Sequence, residues 1–257
     1  MRVLSYNIHK GIGGRDRRYR IDRIIRVIAE QEPDLICLQE VDLNVRRTRH
    51  DDQPRRLAEA IQSVADIYQL NVHLGAGGYG NLVLSRWEFR HTHQISLRQR
   101  RRKPRGAQLA IVETPEGPLH LINWHLGLAE RERHWQVRHL LEHDCFRESA
   151  TLPTLIVGDF NDWRNTLARM SFATQGFEQL TVPHARFRSF PAYFPVVSLD
   201  KAFARGGIEV HHARVIRTPL ARRASDHLPL VIDFHVRPVA TNAPRKASTT
   251  ETHASTR

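Results

Sequence analysis

The sequence is poor in cysteine and lacks the long apolar run that a membrane span requires. Only two cysteines occur among 257 residues, Cys37 in an aliphatic stretch and Cys145 in a helical one. Two isolated thiols predict neither a disulfide framework nor a thiolate metal site. No apolar run approaches the roughly 18 residues of a membrane span, and the first residues have the pattern of a strand rather than of a leader peptide. We therefore expect a cytoplasmic protein.

Acidic residues are outnumbered by basic ones, which favours a polyanionic partner. Asp and Glu total 27 against 39 Lys and Arg, a net charge of +12. Most of the basic residues are arginines, which bind phosphate bidentately and stay charged. The densest run is RQRRRKPR (98–105), where Arg100, Arg101 and Arg102 are candidate contacts for substrate phosphates or for an anionic lipid surface. A solvated loop, or arginine enrichment from genome composition, explains the same residues equally well.

Residues 155–161 (LIVGDFN) join a buried-strand pattern to chemically active side chains. The aliphatic run breaks at Gly158 and then presents Asp159 and Asn161 two residues apart. In an extended chain such residues point the same way, so we expect them to project together, with Phe160 turned into the core. A carboxylate beside an amide can hold and deprotonate a water. Gly, Asp and Asn also favour an Asx-type turn for local reasons, and both interpretations stay open at this stage.

Other predicted strands end in the same kinds of residue. Asn7 ends the first strand, Glu40 ends the second, His125 follows an aliphatic run, and Asp226 and His227 precede the final strand. A hydrophobic core explains the aliphatic runs, but it does not explain an acid, amide or imidazole at the edge of each. The pattern favours a functional site assembled from strand ends.

The motifs around these residues resemble those of the endonuclease/exonuclease/phosphatase superfamily, whose fold is shared by DNase I, abasic-site endonucleases, neutral sphingomyelinases and inositol-polyphosphate 5-phosphatases. In order they are SYNIHKG (5–11), LICLQEV (35–41), INWHL (122–126), VGDFN (157–161), SLDKAF (198–203) and SDHLPL (225–230). Six motifs in order, spanning Arg2 to about Phe234, are far more specific than any one of them. The resemblance implies a DNase I-like α/β (α+β) four-layer sandwich, with two packed, mainly antiparallel sheets flanked by helices.

The motifs run from the first predicted strand to the last, so we expect one catalytic domain over residues 1–236. Residues 237–257 are rich in Pro, Ala, Thr and Ser and are predicted to be a disordered tail. Apolar spacing predicts helices over residues 54–65, with Leu57, Ile61 and Val64 on one face, and over residues 130–146.

The residue types suit phosphoester hydrolysis, which requires neutralised phosphate charge, an aligned water and a stabilised leaving oxygen. Mg²⁺ prefers carboxylate and amide oxygens, so Glu40 is the first choice for a metal ligand, with Asn7 and Asp226 near it. The resemblance implies the same three positions. Mn²⁺ is the alternative ion, and the lack of a Cys or His cluster with zinc spacing disfavours zinc.

The remaining residues have separate expected roles. Asp159 would orient and deprotonate the attacking water, and Asn161 would hold that water or a phosphoryl oxygen. Asp200 would pair with His227, fixing its tautomer and favouring its charged form. His125 would donate to a phosphoryl oxygen. A capping or turn role is the alternative for each residue.

The substrate is less defined than the reaction. We expect a metal-dependent phosphodiesterase or phosphatase acting on a phospholipid headgroup or a small phosphorylated metabolite, with a DNA or RNA nuclease as the alternative. NIHKG (7–11) and QEVD (39–42) resemble the sphingomyelinase, DNase I and lipid-phosphatase members more than the abasic-site enzymes, which usually carry Trp-Asn and Gln-Glu-Thr-Lys there. HLGLAERERHWQ (125–136) resembles uncharacterised bacterial members. A non-catalytic binding module is disfavoured, because every catalytic position holds a competent residue.

Overall fold

Two six-stranded sheets dominate the computed structural model of this protein, which describes residues 1–237. In chain order the strands are β1 (Arg2–Asn7), β2 (Leu35–Leu43), β3 (Ala65–Leu74), β4 (Gly77–Ser85), β5 (Phe89–Ser96), β6 (Gly106–Thr114), β7 (Gly117–His125), β8 (Thr154–Asp159), β9 (Glu178–Gln179), β10 (Asp200–Arg205), β11 (Ile208–Val215) and β12 (Leu230–Val236). The first sheet has the order β11-β12-β1-β2-β4-β3 and the second β5-β6-β7-β8-β10-β9. Each contains one parallel pair, β1–β2 and β7–β8, so the expected mainly antiparallel architecture is confirmed.

Helices cover the outer sides of the two sheets. Within residues 1–237 the α-helices are α1 (Ile21–Ala29), α2 (Gln53–Ile61), α3 (Glu130–Glu142), α4 (Asp144–Arg147) and α5 (Ala221–Ala224). Ile24 of α1 and Leu57 of α2 pack into the core that contains the first sheet. Val137 and Leu140 of α3 pack into a separate core on the second sheet. The order helix, sheet, sheet, helix is the expected four-layer sandwich.

Alternation along β8 explains how the second sheet serves both cores. Leu155 and Val157 belong to a core shared with the first sheet, whereas Ile156 packs with Trp124 in the core under α3. Successive side chains of a strand point to opposite faces, so a strand with both faces covered must be aliphatic throughout. This is why LIV (155–157) has no polar residue.

Two predicted helix boundaries are wrong. α2 ends at Ile61 because Gln62 adopts a left-handed conformation (φ +57°), and Val64 is 54% exposed rather than on the apolar face. The helix predicted over residues 130–146 breaks at His143, which leaves the helical region and accepts a hydrogen bond from the backbone N–H of Cys145 to begin α4. Apolar spacing cannot detect a break of one residue.

A buried polar network joins the two sheets beneath the strand ends. Gln39 of β2 donates to Asn123 of β7 at 2.8 Å, and Asn123 donates to Gln108 of β6 at 2.9 Å. Asn123 also donates to the backbone carbonyls of Leu38 and Leu82. Buried hydrogen bonds between side chains of different strands restrict the relative position of the strands they connect, so the network holds the ends of the two sheets in register.

The predicted tail lies outside the described residues, apart from Arg237, and remains a prediction. Across residues 1–237, every helix is too short or too polar to cross a membrane.

Candidate active site

β1 and β2 bring Asn7 and Glu40 to one end of the first sheet. The two strands are parallel, with Asn7 paired with Gln39. A register shift between Leu38 and Val41 interrupts the pairing of β2 with β4, and Glu40 adopts a left-handed backbone conformation, φ +58°. Bulges re-aim side chains and are common beside active sites. The irregularity at Glu40 is therefore consistent with a functional position rather than a regular strand.

β7, β8 and β10 bring three further residues to the matching end of the second sheet. His125 is paired with Asp159 across the parallel strands β7 and β8, and Asp200 of β10 is also paired with Asp159. All three side chains are buried. Gly158 makes this arrangement feasible, since a Cβ at its φ of +144° would collide with the carbonyl oxygen of Trp124.

The Asp159 carboxylate is the point where these residues converge. Its Oδ2 accepts a hydrogen bond from Nδ2 of Asn7 at 3.0 Å. The same oxygen lies 3.3 Å from Nε2 of His125 and 3.8 Å from Nε2 of His227. Four site residues predicted from four separate motifs thus meet at one buried oxygen.

His227 is oriented by a second carboxylate. Its Nδ1 lies 2.8 Å from Oδ2 of Asp200, so Nδ1–H donates to that carboxylate and Nε2 faces Asp159. The turn before β12 holds His227 in place, because Ser225 Oγ donates to the backbone carbonyl of Asn7 at 2.7 Å and accepts from the backbone N–H of His227 at 3.3 Å. The predicted pair of Asp200 and His227 is therefore in hydrogen-bonding contact.

Burial and neighbouring charge move the pKa values of this cluster apart. Burial raises the pKa of Asp159 to about 6, against the opposing effect of His227. Burial also disfavours a charged His227, but the carboxylates of Asp200 and Asp159 outweigh it and raise the pKa of that imidazole to about 10. Burial, reinforced by the charge of Arg105, holds the pKa of His125 well below its usual value. The site thus combines one charged and one neutral imidazole.

The Glu40 carboxylate contacts the ammonium group of Lys10. Burial alone would raise the pKa of Glu40, but the adjacent Lys10 outweighs burial and lowers that pKa below its usual range. Asp226 lies nearby in the fold, with Oδ2 3.7 Å from Nε2 of His9, whose backbone N–H donates to Oδ1 of Asn7 at 3.1 Å. The segment that follows β1 therefore links the three predicted metal ligands.

The chemistry of these donors suits a hard divalent cation. Glu40 and Asp226 offer carboxylates and Asn7 offers an amide oxygen, the ligand types that Mg²⁺ prefers. The Lys10 ammonium shows that a positive charge is accommodated beside the Glu40 carboxylate. No group of three His, Cys, Asp or Glu side chains within residues 1–237 could hold a metal ion alone. Waters and substrate oxygens would have to complete the coordination, as is usual for Mg²⁺.

Asn161 departs from the predicted extended geometry. β8 ends at Asp159, and Asn161 has a left-handed φ of +50°. Its backbone N–H donates to Oδ1 of Asp159 at 3.0 Å, and its side-chain Nδ2 donates to the carbonyl of Leu126 at 3.0 Å. The expectation that Asp159 and Asn161 project together from an extended strand is wrong, because an Asx-type turn ends the strand. Phe160 is fully buried, as expected, with its ring centroid 5.0 Å from that of Trp124.

Arg100, Arg101 and Arg102 are exposed in the loop between β5 and β6. The backbone N–H of Arg102 donates to the carbonyl of Gln99 at 2.8 Å, which closes a turn. Within residues 1–237, no side-chain hydrogen bond or ion pair joins these arginines to the cluster around Asp159. Their contact with substrate phosphate remains a prediction.

Three side chains that lie near the predicted site residues were not predicted from the sequence. His9 and Lys10 belong to SYNIHKG (5–11) and directly follow the strand that carries Asn7, so their position in that motif was an available signal. Arg105 ends the basic run, and only 6% of it is exposed. Nothing in the sequence separates Arg105 from the exposed arginines before it, because its burial results from the packing of β6.

Comparisons with known proteins identify a family and a shared fold. A family model described as the Endonuclease/Exonuclease/phosphatase family matches residues 4–227. The uncharacterised protein YbhP of Escherichia coli strain K12 is 30% identical over 247 residues, which cover 91% of this chain and 96% of YbhP. Among solved structures, an endonuclease/exonuclease/phosphatase of Beutenbergia cavernae has a TM-score of 0.73 at 23% identity, covering 92% of this chain and 72% of that one. A mannosyl-6-phosphatase of Bacteroides thetaiotaomicron has a TM-score of 0.73 at 17% identity, covering 91% and 99%.

Proposed function

The chain belongs to the endonuclease/exonuclease/phosphatase family, and on that premise we propose that it is a divalent-metal-dependent phosphoester hydrolase. The observation that supports this most directly is the convergence of Asn7, His125 and His227 on Oδ2 of Asp159. One acid surrounded by an amide and two imidazoles is an arrangement for handling a water and an anionic centre. A fold built only for binding would have no need to bury these groups together, at the cost that buried polar groups carry.

We assign the attacking water to Asp159. The hydrogen bond from Asn7 fixes the orientation of its carboxylate, and a fixed carboxylate can both align a water and accept its proton. His227, held by Asp200, presents Nε2 to the same place. A charged imidazole there would stabilise the negative charge that develops on the phosphoryl oxygens.

We assign the divalent ion, Mg²⁺ or alternatively Mn²⁺, to Glu40, Asn7 and Asp226. When bound, the ion would neutralise phosphate charge and polarise the scissile bond. His125 lies 3.3 Å from Asp159 and within the electrostatic influence of Glu40, which suits a neutral donor to a phosphoryl oxygen. Asn161 would brace the loop after β8 through Leu126, with its carboxamide oxygen remaining as a candidate acceptor for the water.

The substrate class is the finer part of the proposal. A lipid headgroup or small phosphorylated metabolite is favoured by the motif resemblance, and one structural neighbour is described as a mannosyl-6-phosphatase. Exposed apolar side chains on loops near the strand ends, Leu128, Trp163 and Phe194, suit a substrate with an apolar or ring-shaped portion. The nuclease alternative draws on the net charge of +12 and on the capacity of exposed aromatic residues to stack on bases.

The test is turnover of a substrate panel with Mg²⁺ or Mn²⁺ and after chelation. The panel contains bis-p-nitrophenyl phosphate, p-nitrophenyl phosphate, phospholipid vesicles, plasmid DNA and an abasic-site duplex. We expect divalent-dependent hydrolysis of at least one ester, abolished in Glu40→Gln. Glu59→Gln, which changes an exposed acid paired with Arg55, should retain it.

The panel also separates the alternatives. Ester or lipid turnover without DNA nicking supports the phosphodiesterase or phosphatase assignment, whereas metal-dependent DNA cleavage supports the nuclease. Full activity after chelation, or in a correctly folded Glu40→Gln, would contradict the metal assignment. If the protein hydrolyses no ester of the panel, a non-catalytic binding module on this fold would be the better explanation.

A further inference from the structure

Arg105 is a buried cation without a counter-charge. The side chain is 6% exposed, and its Nε has no hydrogen-bond partner among the described residues. Within the same residues it takes part in no ion pair. Arginine cannot lose its charge in a protein, and an unpaired buried charge is strongly destabilising. A position that retains such a group is a candidate for binding an anion that is not part of the chain.

A second group of cations surrounds the nearby ring of Tyr79. Nζ of Lys103 lies 5.1 Å from the ring centroid, Cζ of Arg47 also 5.1 Å, and Nζ of Lys10 5.4 Å. Arg47 is paired with a carboxylate of the chain, and so is Lys10. Lys103, like Arg105, forms no ion pair within residues 1–237, so the charges of both residues are unmatched by a carboxylate of the described chain.

The topology places Arg105 and the cations around Tyr79 on the same side of the candidate active site. Tyr79 lies on β4, the strand next to the one that carries Glu40, and Arg105 directly precedes β6, the strand next to the one that carries His125. The middle of β4 and the start of β6 are joined by a hydrogen bond of 3.0 Å from the side chain of Asn81 to the carbonyl of Gly106. Neighbouring strands are about 5 Å apart, so the start of β6, next to Arg105, lies about one strand spacing from β7, which carries His125, and about two, roughly 10 Å, from β8, which carries Asp159.

Electrostatics agree with this placement. After burial, the charge of Arg105 is the strongest influence that lowers the pKa of His125, and Lys103 contributes in the same direction. Coulombic interactions weaken with distance, so charges that lower the pKa of a buried imidazole must lie close to it. The two unmatched cations therefore border the position where the scissile phosphate would bind.

We propose that Arg105 and Lys103, with Tyr79 and its other two cations, form a second anion subsite, and that the substrate carries a second phosphate beside the scissile one. The proposal rests on the function proposed above and adds the substrate class. Arg105 would bind the second phosphate through its planar guanidinium, and Lys103 would add a point charge from the exposed side. The scissile phosphate would remain with the metal ligands, His125 and His227.

Binding of non-hydrolysable ligands tests the subsite without relying on turnover. The matched pair is propane-1,3-diyl bisphosphonate and propylphosphonate, which differ only in the second anionic group, titrated by calorimetry in the presence of Mg²⁺. We expect the protein to bind the bisphosphonate at least about tenfold more tightly, the effect of one or two charge-assisted hydrogen bonds. Arg105→Met should remove most of this preference, and Lys103→Met part of it.

Arg138→Met is the control, because it removes the same charge from an exposed position on α3. It should keep the full preference for the bisphosphonate. Equal affinity of the unaltered protein for both ligands, or an equal loss of preference in Arg138→Met and Arg105→Met, would overturn the subsite and leave only a general effect of net charge.

Stability distinguishes a binding residue from a structural one. Removing an unpaired buried charge should leave the melting temperature of ligand-free Arg105→Met unchanged or raised. A clear fall in the melting temperature, together with an unchanged preference for the bisphosphonate, would show that Arg105 supports the fold instead.

Kinetics separate the subsite from the scissile-phosphate site. Arg105→Met should lower kcat/KM for propane-1,3-diol bisphosphate by a much larger factor than kcat/KM for propyl phosphate, and an equal loss on both would place Arg105 on the scissile phosphate and overturn the proposal. Vesicles with and without phosphatidylinositol 4-phosphate extend the comparison to a lipid source of the same chemistry. If no ester is hydrolysed but the bisphosphonate preference depends on Arg105, the proposed hydrolase fails and the subsite stands.

Discussion

Asp159 shows how much of the site depends on the surroundings of one side chain. It is 1% exposed, and burial raises the pKa of its carboxyl group to about 6. A buried carboxylate is tolerated only when it is paired and hydrogen-bonded. The side-chain amide of Asn7 and the backbone N–H of Asn161 donate to it, and His227 supplies the opposite charge. The partners of Asp159 are therefore as necessary to the site as the acid itself.

The buried imidazole of His120 predicts that the free energy of unfolding depends on pH. Its ring is 1% exposed on β7, Nδ1 has no hydrogen-bond partner among the described residues, and burial lowers its pKa to about 4. In the unfolded chain the imidazole of His120 takes up a proton near pH 6.5, whereas in the folded chain it does so only near pH 4. Stability conferred by neutral His120 is thus complete above pH 6.5 and is lost as the pH falls, by about 2 kcal/mol between pH 7 and pH 5.

Urea unfolding at pH 7 and pH 5 checks this prediction. Over that interval the unaltered protein should lose about 2 kcal/mol more free energy of unfolding than His120→Leu. His73→Leu, which replaces an exposed histidine on β3, should behave like the unaltered protein. Equal losses in the unaltered protein and His120→Leu would mean that His120 does not contribute to acid sensitivity.

Single residues were predictable from the sequence where the chemistry is local. Asp159, Glu40 and His227 end or precede aliphatic runs, and that pattern is visible without a structure. The role of Arg105 was not predictable, because this arginine becomes buried only when β6 packs against its neighbours. The contact of Lys10 with Glu40 joins residues that are distant in sequence, and spacing along the chain does not report it.

At the scale of elements, the parallel pair β7–β8 sets the position of Asp159, the residue proposed to activate the attacking water. Its register places His125 beside Asp159, and the close approach of the two strands requires Gly158. No other residue type fits there, because a Cβ would meet the carbonyl oxygen of Trp124. The φ of +144° at this position is also accessible mainly to glycine.

Gly158→Ala should therefore damage both the fold and the site. We expect a loss of more than about 2 kcal/mol in the free energy of unfolding, with loss of any turnover. Gly117→Ala is the matched control, since Gly117 also has a positive φ (+115°) but no atom lies within 4 Å of the place that a methyl group would occupy; it should cost about 1 kcal/mol. If urea unfolding shows similar losses of free energy of unfolding in the two variants, the close contact between residue 158 and Trp124 does not determine the cost of the substitution.

The strands were predicted better than the segments between them. Aliphatic runs identify a strand with two covered faces, and this held for β1, β2 and β8. The boundaries of α2 and α3 depend on single residues, Gln62 and His143, whose backbone conformation ends each helix. The end of β8 was misjudged for the same reason, since Asn161 forms a local turn that an alternating pattern does not encode.

At the scale of the whole molecule, each sheet contributes its one parallel pair to the site. Parallel neighbours end at the same edge of a sheet, so β1–β2 delivers Asn7 and Glu40 while β7–β8 delivers His125 and Asp159. The polar network through Asn123 connects the two pairs. A net charge of +12 adds a field that attracts anionic substrates and that salt would screen.

The most direct test of this account compares the turnover of the unaltered protein and Asp159→Asn on the best ester of the panel, at saturating Mg²⁺. The substitution keeps the shape of the side chain and removes the group that accepts the proton. We expect kcat to fall by about 10²–10⁴-fold, with a melting temperature close to that of the unaltered protein. Unchanged turnover by a correctly folded Asp159→Asn would contradict the central claim that this carboxylate activates the attacking water.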